Sequence, residues 1–140
     1  MALAAAQVVD AIAARLAGTA AGGVFTDRAW PINQAALPAW KVYATDESIE
    51  AATIASTEEH LLIVECRGIV AATVGLDDAM NDLAAAGLTA VHTGTYTSFS
   101  VQTSGISRVM GQENGADVAV VTVRLMAQFF TQAASPQAFV

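Results

Sequence analysis

The strongest periodic signal in the chain lies near its C-terminus. From Val118 to Thr131, Ala119, Val121, Val123, Leu125, Ala127 and Phe129 form one wholly apolar set, while Thr122, Arg124 and Gln128 mark the other. A period of two predicts a strand with one buried face. An extended run of this length reaches roughly 43 Å, about twice the ordinary strand. Before it, Tyr96–Arg108 is rich in Thr, Ser, Val and Phe, with Thr97, Phe99, Val101 and Thr103 on one side, and Gly111-Gln-Glu-Asn-Gly115 reads as the turn between the two. The two runs predict a long C-terminal β-hairpin ending at Phe129-Phe130, with the tail from Gln132 loose.

Upstream, the period changes twice. Leu3, Val8, Ile12 and Leu16 recur near helical spacing within an alanine-rich stretch, predicting a helix over 3–17 that stops at Gly18. Leu76, Met80, Leu83, Gly87 and Val91 fall 4, 3, 4 and 4 apart, which is one stripe of a second helix. Gly87 on that stripe suits close approach to a sheet, or a break. Asp77 and Asp78 suit the first turn, where the helix dipole favours anions. Between the helices, Val24-Phe25-Thr26 reads as a short strand, residues 27–38 as irregular chain, Ala39–Thr45 as a strand and 46–57 as an acidic loop. His60–Ala71 reads as a central strand, because both Leu62, Val64, Cys66, Val70 and Leu61, Ile63, Ile69 are apolar. Mostly neighbouring antiparallel strands with two helices on one face make an α+β two-layer sandwich, in one domain spanning 1–140.

Composition adds a constraint. Of 140 residues, 54% are hydrophobic and only 14% charged, against a usual quarter; so bland a surface points to part of it being covered in an oligomer. The net charge is −7, and the six Lys and Arg are scattered singly, which argues against direct nucleic-acid binding. No apolar run is long enough to span a bilayer, and Asp10 and Arg15 argue against a signal peptide. The lone Cys66, in an apolar strand, fits a small core residue.

Chemistry is hard to find. There is no phosphate-binding loop, no glycine-rich dinucleotide fingerprint, no zinc-protease helix and no serine elbow. His60 at a strand start and His92 at a helix end read as capping or half-exposed side chains. Asp77, Asp78 and Asp82 read as a solvated helix face, although Asp78 and Asp82 are one turn apart. No catalytic, cofactor-binding or metal residue is expected, and no cofactor. Interface candidates are clearer. Glu65 and Arg67 share a strand face and are expected to pair with each other or to reach Arg124 or Lys41 on adjacent strands, a pattern suited to a structural pair or to setting register between subunits. Arg28 and Trp30 in the proline-containing loop, Gln112, Glu113 and Asn114 at the hairpin tip, and Gln128 on its outer face complete the set.

The ordered combination of Gln7-Val8-Val9-Asp10-Ala11-Ile12, Val24-Phe25-Thr26-Asp27-Arg28, Leu37-Pro38-Ala39-Trp40-Lys41-Val42-Tyr43 and Asp117-Val118-Ala119-Val120-Val121-Thr122-Val123-Arg124 resembles the tail terminator (minor tail, tail-completion) proteins of long-tailed bacteriophages and prophages. The Leu-Pro-Ala-Trp-Lys-Val-Tyr strand is the most specific part. The resemblance implies a non-catalytic subunit of a homo-oligomeric ring, typically a hexamer. Such a ring caps the tail tube protein, ends tail polymerisation and offers a surface to the head-side connector protein. It would form in the host bacterial cytoplasm and remain in the virion tail. A ring needs two different patches on each subunit. The rival within this class is a head–tail joining (neck) protein; from another class it is a small ligand-binding or enzyme-subunit domain using a cleft near His60, His92 and Glu65.

Overall fold

A computed structural model describes residues 3–26, 32, 37–51, 56–72, 75–113 and 115–140, the side chain of Pro136 excepted. In chain order the elements are α1 (Ala4–Leu16), β1 (Val24–Phe25), β2 (Ala39–Ala51), β3 (Thr57–Ala71), α2 (Leu76–His92), β4 (Ser100–Glu113), β5 (Ala116–Gln132) and β6 (Ser135–Phe139). The strands form one sheet in the order β1-β2-β3-β5-β4, with β6 also paired to β5. Every pairing is antiparallel except the two-residue β1–β2 ladder. The fold is the α+β sandwich that the periodicities predict, with β3 in the interior of the sheet.

The two helices lie on one face because each carries a single apolar stripe. Val8, Ile12 and Leu16 of α1, and Met80, Leu83, Ala84, Gly87 and Val91 of α2, are buried. They meet Val42, Leu62, Val64, Cys66, Val121, Val123, Leu125 and Phe129 of the sheet. Each large apolar side chain withdrawn from water here contributes about 1.5–3 kcal/mol. Trp40, fully buried, sits at the junction, and its indole Nε1 donates to Thr19 Oγ1 at 2.9 Å. Gly87 is unbroken helix: a Cβ there would lie 2.5 Å from Trp40 Cζ2. The glycine admits the indole beneath α2, the close approach that its place on the stripe predicts.

A smaller cluster lies on the opposite face, where Ile32, Ala39, Ile69, Val118 and Val120 are buried together. The second apolar set of β3 therefore has a use at one end of the strand only. Further along, that face is open, with Leu61, Ile63, Glu65 and Arg67 partly exposed.

Four expectations are corrected. The acidic segment 46–57 is not a loop throughout, because β2 continues to Ala51 and β3 begins at Thr57. Cross-strand pairing of Asp46 with Ile63, through to Ala51 with Glu58, overrides the poor intrinsic strand preference of that stretch. The expected turn at 111–115 shrinks, since Gly111, Gln112 and Glu113 are strand and Glu113 pairs with Ala116. Gly115 (φ +79°) occupies a backbone region that suits glycine. Tyr96 to Phe99 lie before β4 rather than in it. Finally, the tail is not loose: Ser135–Phe139 forms β6, Thr131 pairs with Phe139, and Phe139 packs edge-on against Phe129 at 5.6 Å. Most of the expected irregular chain at 27–38 lies outside the described residues.

Candidate functional site

Residues paired across a ladder share a face, so the register sorts the interface candidates. Tyr43, Glu65, Arg67, Thr122 and Arg124 fall on the face away from the helices. Glu65 is flanked by Tyr43 on β2 and Arg124 on β5, and Arg67 by Lys41 and Thr122. The Tyr43 hydroxyl donates to Glu65 Oε2 at 3.3 Å and also engages Arg67. Burial raises the Tyr43 phenol above its ordinary 10.0, against the opposing pull of Arg67. Glu65 and Arg67 are thus linked through a tyrosine. Arg124 is exposed, and its guanidinium makes no hydrogen bond or ion pair among the described residues. Glu65, Ser107, Thr122 and Arg124 border a shallow depression of about 290 Å³ on this face.

Lys41 and Glu113 behave differently from what their place among the interface candidates implies. Lys41 Nζ and Glu113 Oε1 are 2.9 Å apart, with side-chain exposures of 5% and 8%. Glu113 Oε1 also accepts the backbone N–H of Ile32 at 3.1 Å. Within the single subunit the pair is already satisfied, and it ties the tip of the β4–β5 hairpin to β2 and to the chain preceding it. Gln112 reaches Asp117 across the hairpin at 3.3 Å, and Gln128 reaches Glu59 at 3.0 Å, both at the surface. Arg28, Trp30 and Asn114 lie outside the described residues.

His60 departs most from expectation. It is not half-exposed but buried, stacked on Phe129 with ring centroids 4.7 Å apart. Its Nδ1 lies 2.8 Å from Glu47 Oε2, and its Nε2 lies 2.8 Å from Thr131 Oγ1. Hydroxyl, imidazole and carboxylate in that order are the connectivity of an activated nucleophile. Burial decides against that use, because Thr131 is 0% exposed and the imidazole face is covered by Phe129. No reacting carbon can reach hydrogen-bonding distance of a hydroxyl so enclosed. What the cluster does is join β2, β3 and β5 at the end of the sheet remote from the hairpin turn.

His92, by contrast, is exposed at the end of α2 and bonds Thr103 Oγ1 at 2.7 Å. Near it, Arg15 donates to the carbonyls of Val91, Thr93 and Thr95 and stacks 3.8 Å from the centre of the Tyr96 ring. A cation on the free carbonyls of a helix C-terminus opposes the negative end of its dipole. Gln7, Arg15, Tyr96, Phe99 and Phe139 line an open groove of about 480 Å³ beside this clamp. Asp77, Asp78 and Asp82 are exposed on α2, and among the described residues no three His, Cys, Asp or Glu side chains converge as a metal site. No described helix is long and apolar enough to cross a membrane.

Cys66 is buried, and desolvation pushes its thiol from an ordinary 9.0 up to about 12. The folded thiol keeps its proton where the unfolded one would lose it. Its contribution is therefore intact below pH 9 and is lost as pH rises towards 12. Stability should fall across that window by at most about 1.4 kcal/mol per pH unit from this group. Denaturant titrations at pH 8, 9.5 and 11 should show a shallower fall for Cys66→Ala than for the parent chain. Tyr43 and Tyr96, both raised by burial, contribute in the same direction and keep the variant's slope from vanishing.

Arg15, Glu47 and Thr131 were not singled out by the sequence. Arg15 acts at long range, on carbonyls that no pattern predicts, and Glu47 was hidden in the segment read as a loop. No protein-family model and no curated protein matches this chain, so the candidate surface rests on its own geometry.

Proposed function

We propose that the chain is a non-catalytic structural assembly protein of a bacteriophage tail. Copies of it form a ring on the completed tube, stop addition of the tube protein and present a surface to the head-side connector. The observation that carries this reading is the pair of unlike open edges on one sheet. On one side β4 has β5 as its only strand partner among the described residues, and it leaves Ile106, Val109 and Met110 exposed at 40%, 55% and 61%. On the other side β1 pairs with β2 only at Trp40 and Lys41. Beyond them the exposed run from Thr45 to Ala51 has no outer partner among the described residues.

Unpaired edges invite strand addition, and proteins that stay monomeric blunt them. Two different edges on one subunit supply the two different patches that a head-to-tail ring needs. The buried Cys66 and the enclosed Thr131 hydroxyl fit a role without covalent chemistry. The sequence resemblance supplies the tail as the setting.

The decisive experiment is electron microscopy of tails assembled without this protein. Tubes of uncontrolled length are expected. Uniform tails of normal length that fail to join heads would move the assignment to the neck. Uniform tails that join heads normally would end it.

A further inference from the structure

We propose that β4 of one subunit pairs with the outer half of β2 of the next, so that a single antiparallel sheet runs from subunit to subunit. The proposal rests on the ring-forming reading above and names its contact. Strand direction comes first. β2 is antiparallel to β3, β3 to β5 and β5 to β4. Hence β2 and β4, at opposite sides of the sheet, run in opposite directions. A second copy placed beside the first in the same orientation brings its β2 antiparallel to the free β4, with the helices of both copies on one side. No inversion is needed, and the alternation of strands continues unbroken.

Register comes next. β2 is bulged between Ala44 and Asp46, and β4 between Thr103 and Gly105. Between these irregularities lie two regular exposed segments, Asp46 to Ala51 and Gly105 onwards. Ile49 is opposite His60 and Glu47 opposite Leu62, which puts both on the helix-bearing face. Ile106, opposite Val123, and Arg108, opposite Val121, are on the same face. Setting Ile49 of one copy against Ile106 of the next also sets Glu47 against Arg108. The exposed isoleucines cover each other and the charges are opposite, both favourable for directly opposed residues.

The same register acts on the other face. It places Glu50 against Gly105, and Gly105 pairs on its inner side with Arg124. A Cβ on Gly105 would meet nothing within 4 Å, and its φ is not positive. Neither a clash with the described residues nor a positive φ requires glycine there, and the adjoining bulge is its one use within the subunit. Across a bare glycine, two strand spacings of about 4.8 Å separate Glu50 from Arg124, within the combined reach of the two side chains. The guanidinium that lacks a partner among the described residues of its own subunit finds one in the neighbour.

The test uses the full chain carrying Ile49→Cys and Ile106→Cys. Within one subunit these positions are three strands apart and cannot bridge. Mild oxidation should therefore give a reducible ladder extending beyond dimer, while either single variant, whose new thiol faces an isoleucine, should stay uncross-linked. In parallel, Arg124→Glu should weaken self-association, measured by sedimentation, by about tenfold, and adding Glu50→Arg should restore it. Circular dichroism checks that the variants stay folded. A parent chain that forms rings on tail tubes while the double-cysteine variant stops at dimer and the charge swap gives no rescue would overturn the edge pairing and leave the tail-capping reading standing. A chain that stays monomeric at high concentration and on tail tubes, with no ladder, would overturn both.

Discussion

Replacing Trp40 with alanine is expected to cost about 3–5 kcal/mol, enough to remove much of the stability of an ordinary domain of this size. Trp40 is fully buried and belongs to β2, yet two glycines on other elements are shaped around it. A Cβ at Gly87 on α2 would lie 2.5 Å from Cζ2 and 2.9 Å from Cη2 of the indole; at Gly68 on β3 a Cβ would lie 3.1 Å from Cζ3. Truncation leaves a void that the backbone around it cannot close, and it removes the indole N–H from the Thr19 hydroxyl, which keeps only its bond to the Leu16 carbonyl. The companion variant Gly87→Ala opposes two effects. Helix propensity favours alanine by about 1 kcal/mol, but overpacking against a rigid ring costs about 1–3 kcal/mol, so a net loss is expected. In the Trp40→Ala background the clash is gone and the propensity gain remains. The same substitution should then stabilise. Urea unfolding of the four chains checks the reversal of sign, and additive effects would show that Trp40 and Gly87 are not coupled in this way.

Gly87 and Trp40 also show what was legible in the sequence. The spacing from Leu76 to Val91 places Gly87 on the buried stripe, and the close approach follows from that position alone. What no spacing gives is the identity of the partner, because Trp40 is more than forty residues away. The hairpin follows the same rule. Its inner face, Ala119 to Phe129, is local alternation and reads directly, whereas β6 does not, since five residues beginning Ser-Pro become a strand only because β5 outruns β4 and leaves Thr131 and Gln132 without a partner on that side.

The strand at 46–51 is hidden for a related reason. Asp46, Glu47 and Glu50 are poor strand formers, and they are held extended by a ladder to β3 and by the Glu47–His60 contact. The candidate surface was therefore half visible. Arg124, Glu65 and Arg67 stand out on an apolar strand, but the complementary acidic edge was concealed within an apparent loop. Lys41 and Glu113, read as interface charges from their places in the chain, turned inward to each other.

That pair should give the second large effect. Glu113→Ala is expected to destabilise the chain by about 3–5 kcal/mol, because it leaves the Lys41 ammonium buried without its counter-charge. It also removes the acceptor for the Ile32 N–H. Lys41→Met should cost less, since the remaining carboxylate still holds that N–H. The informative variant is the double one, Lys41→Met with Glu113→Leu. It removes both charges, fills much of the same volume, and leaves only the backbone N–H unpaired, at about 1–3 kcal/mol. A double variant more stable than Glu113→Ala alone would show that the pair's large apparent value is the penalty of an orphaned charge. It would also separate structure from assembly. The double variant should still self-associate, because neither side chain falls in the segments that the proposed pairing joins, Asp46 to Ala51 of β2 and Ser104 to Val109 of β4. Loss of association in a folded double variant would instead return Lys41 and Glu113 to the subunit contact and move that contact to the hairpin tip.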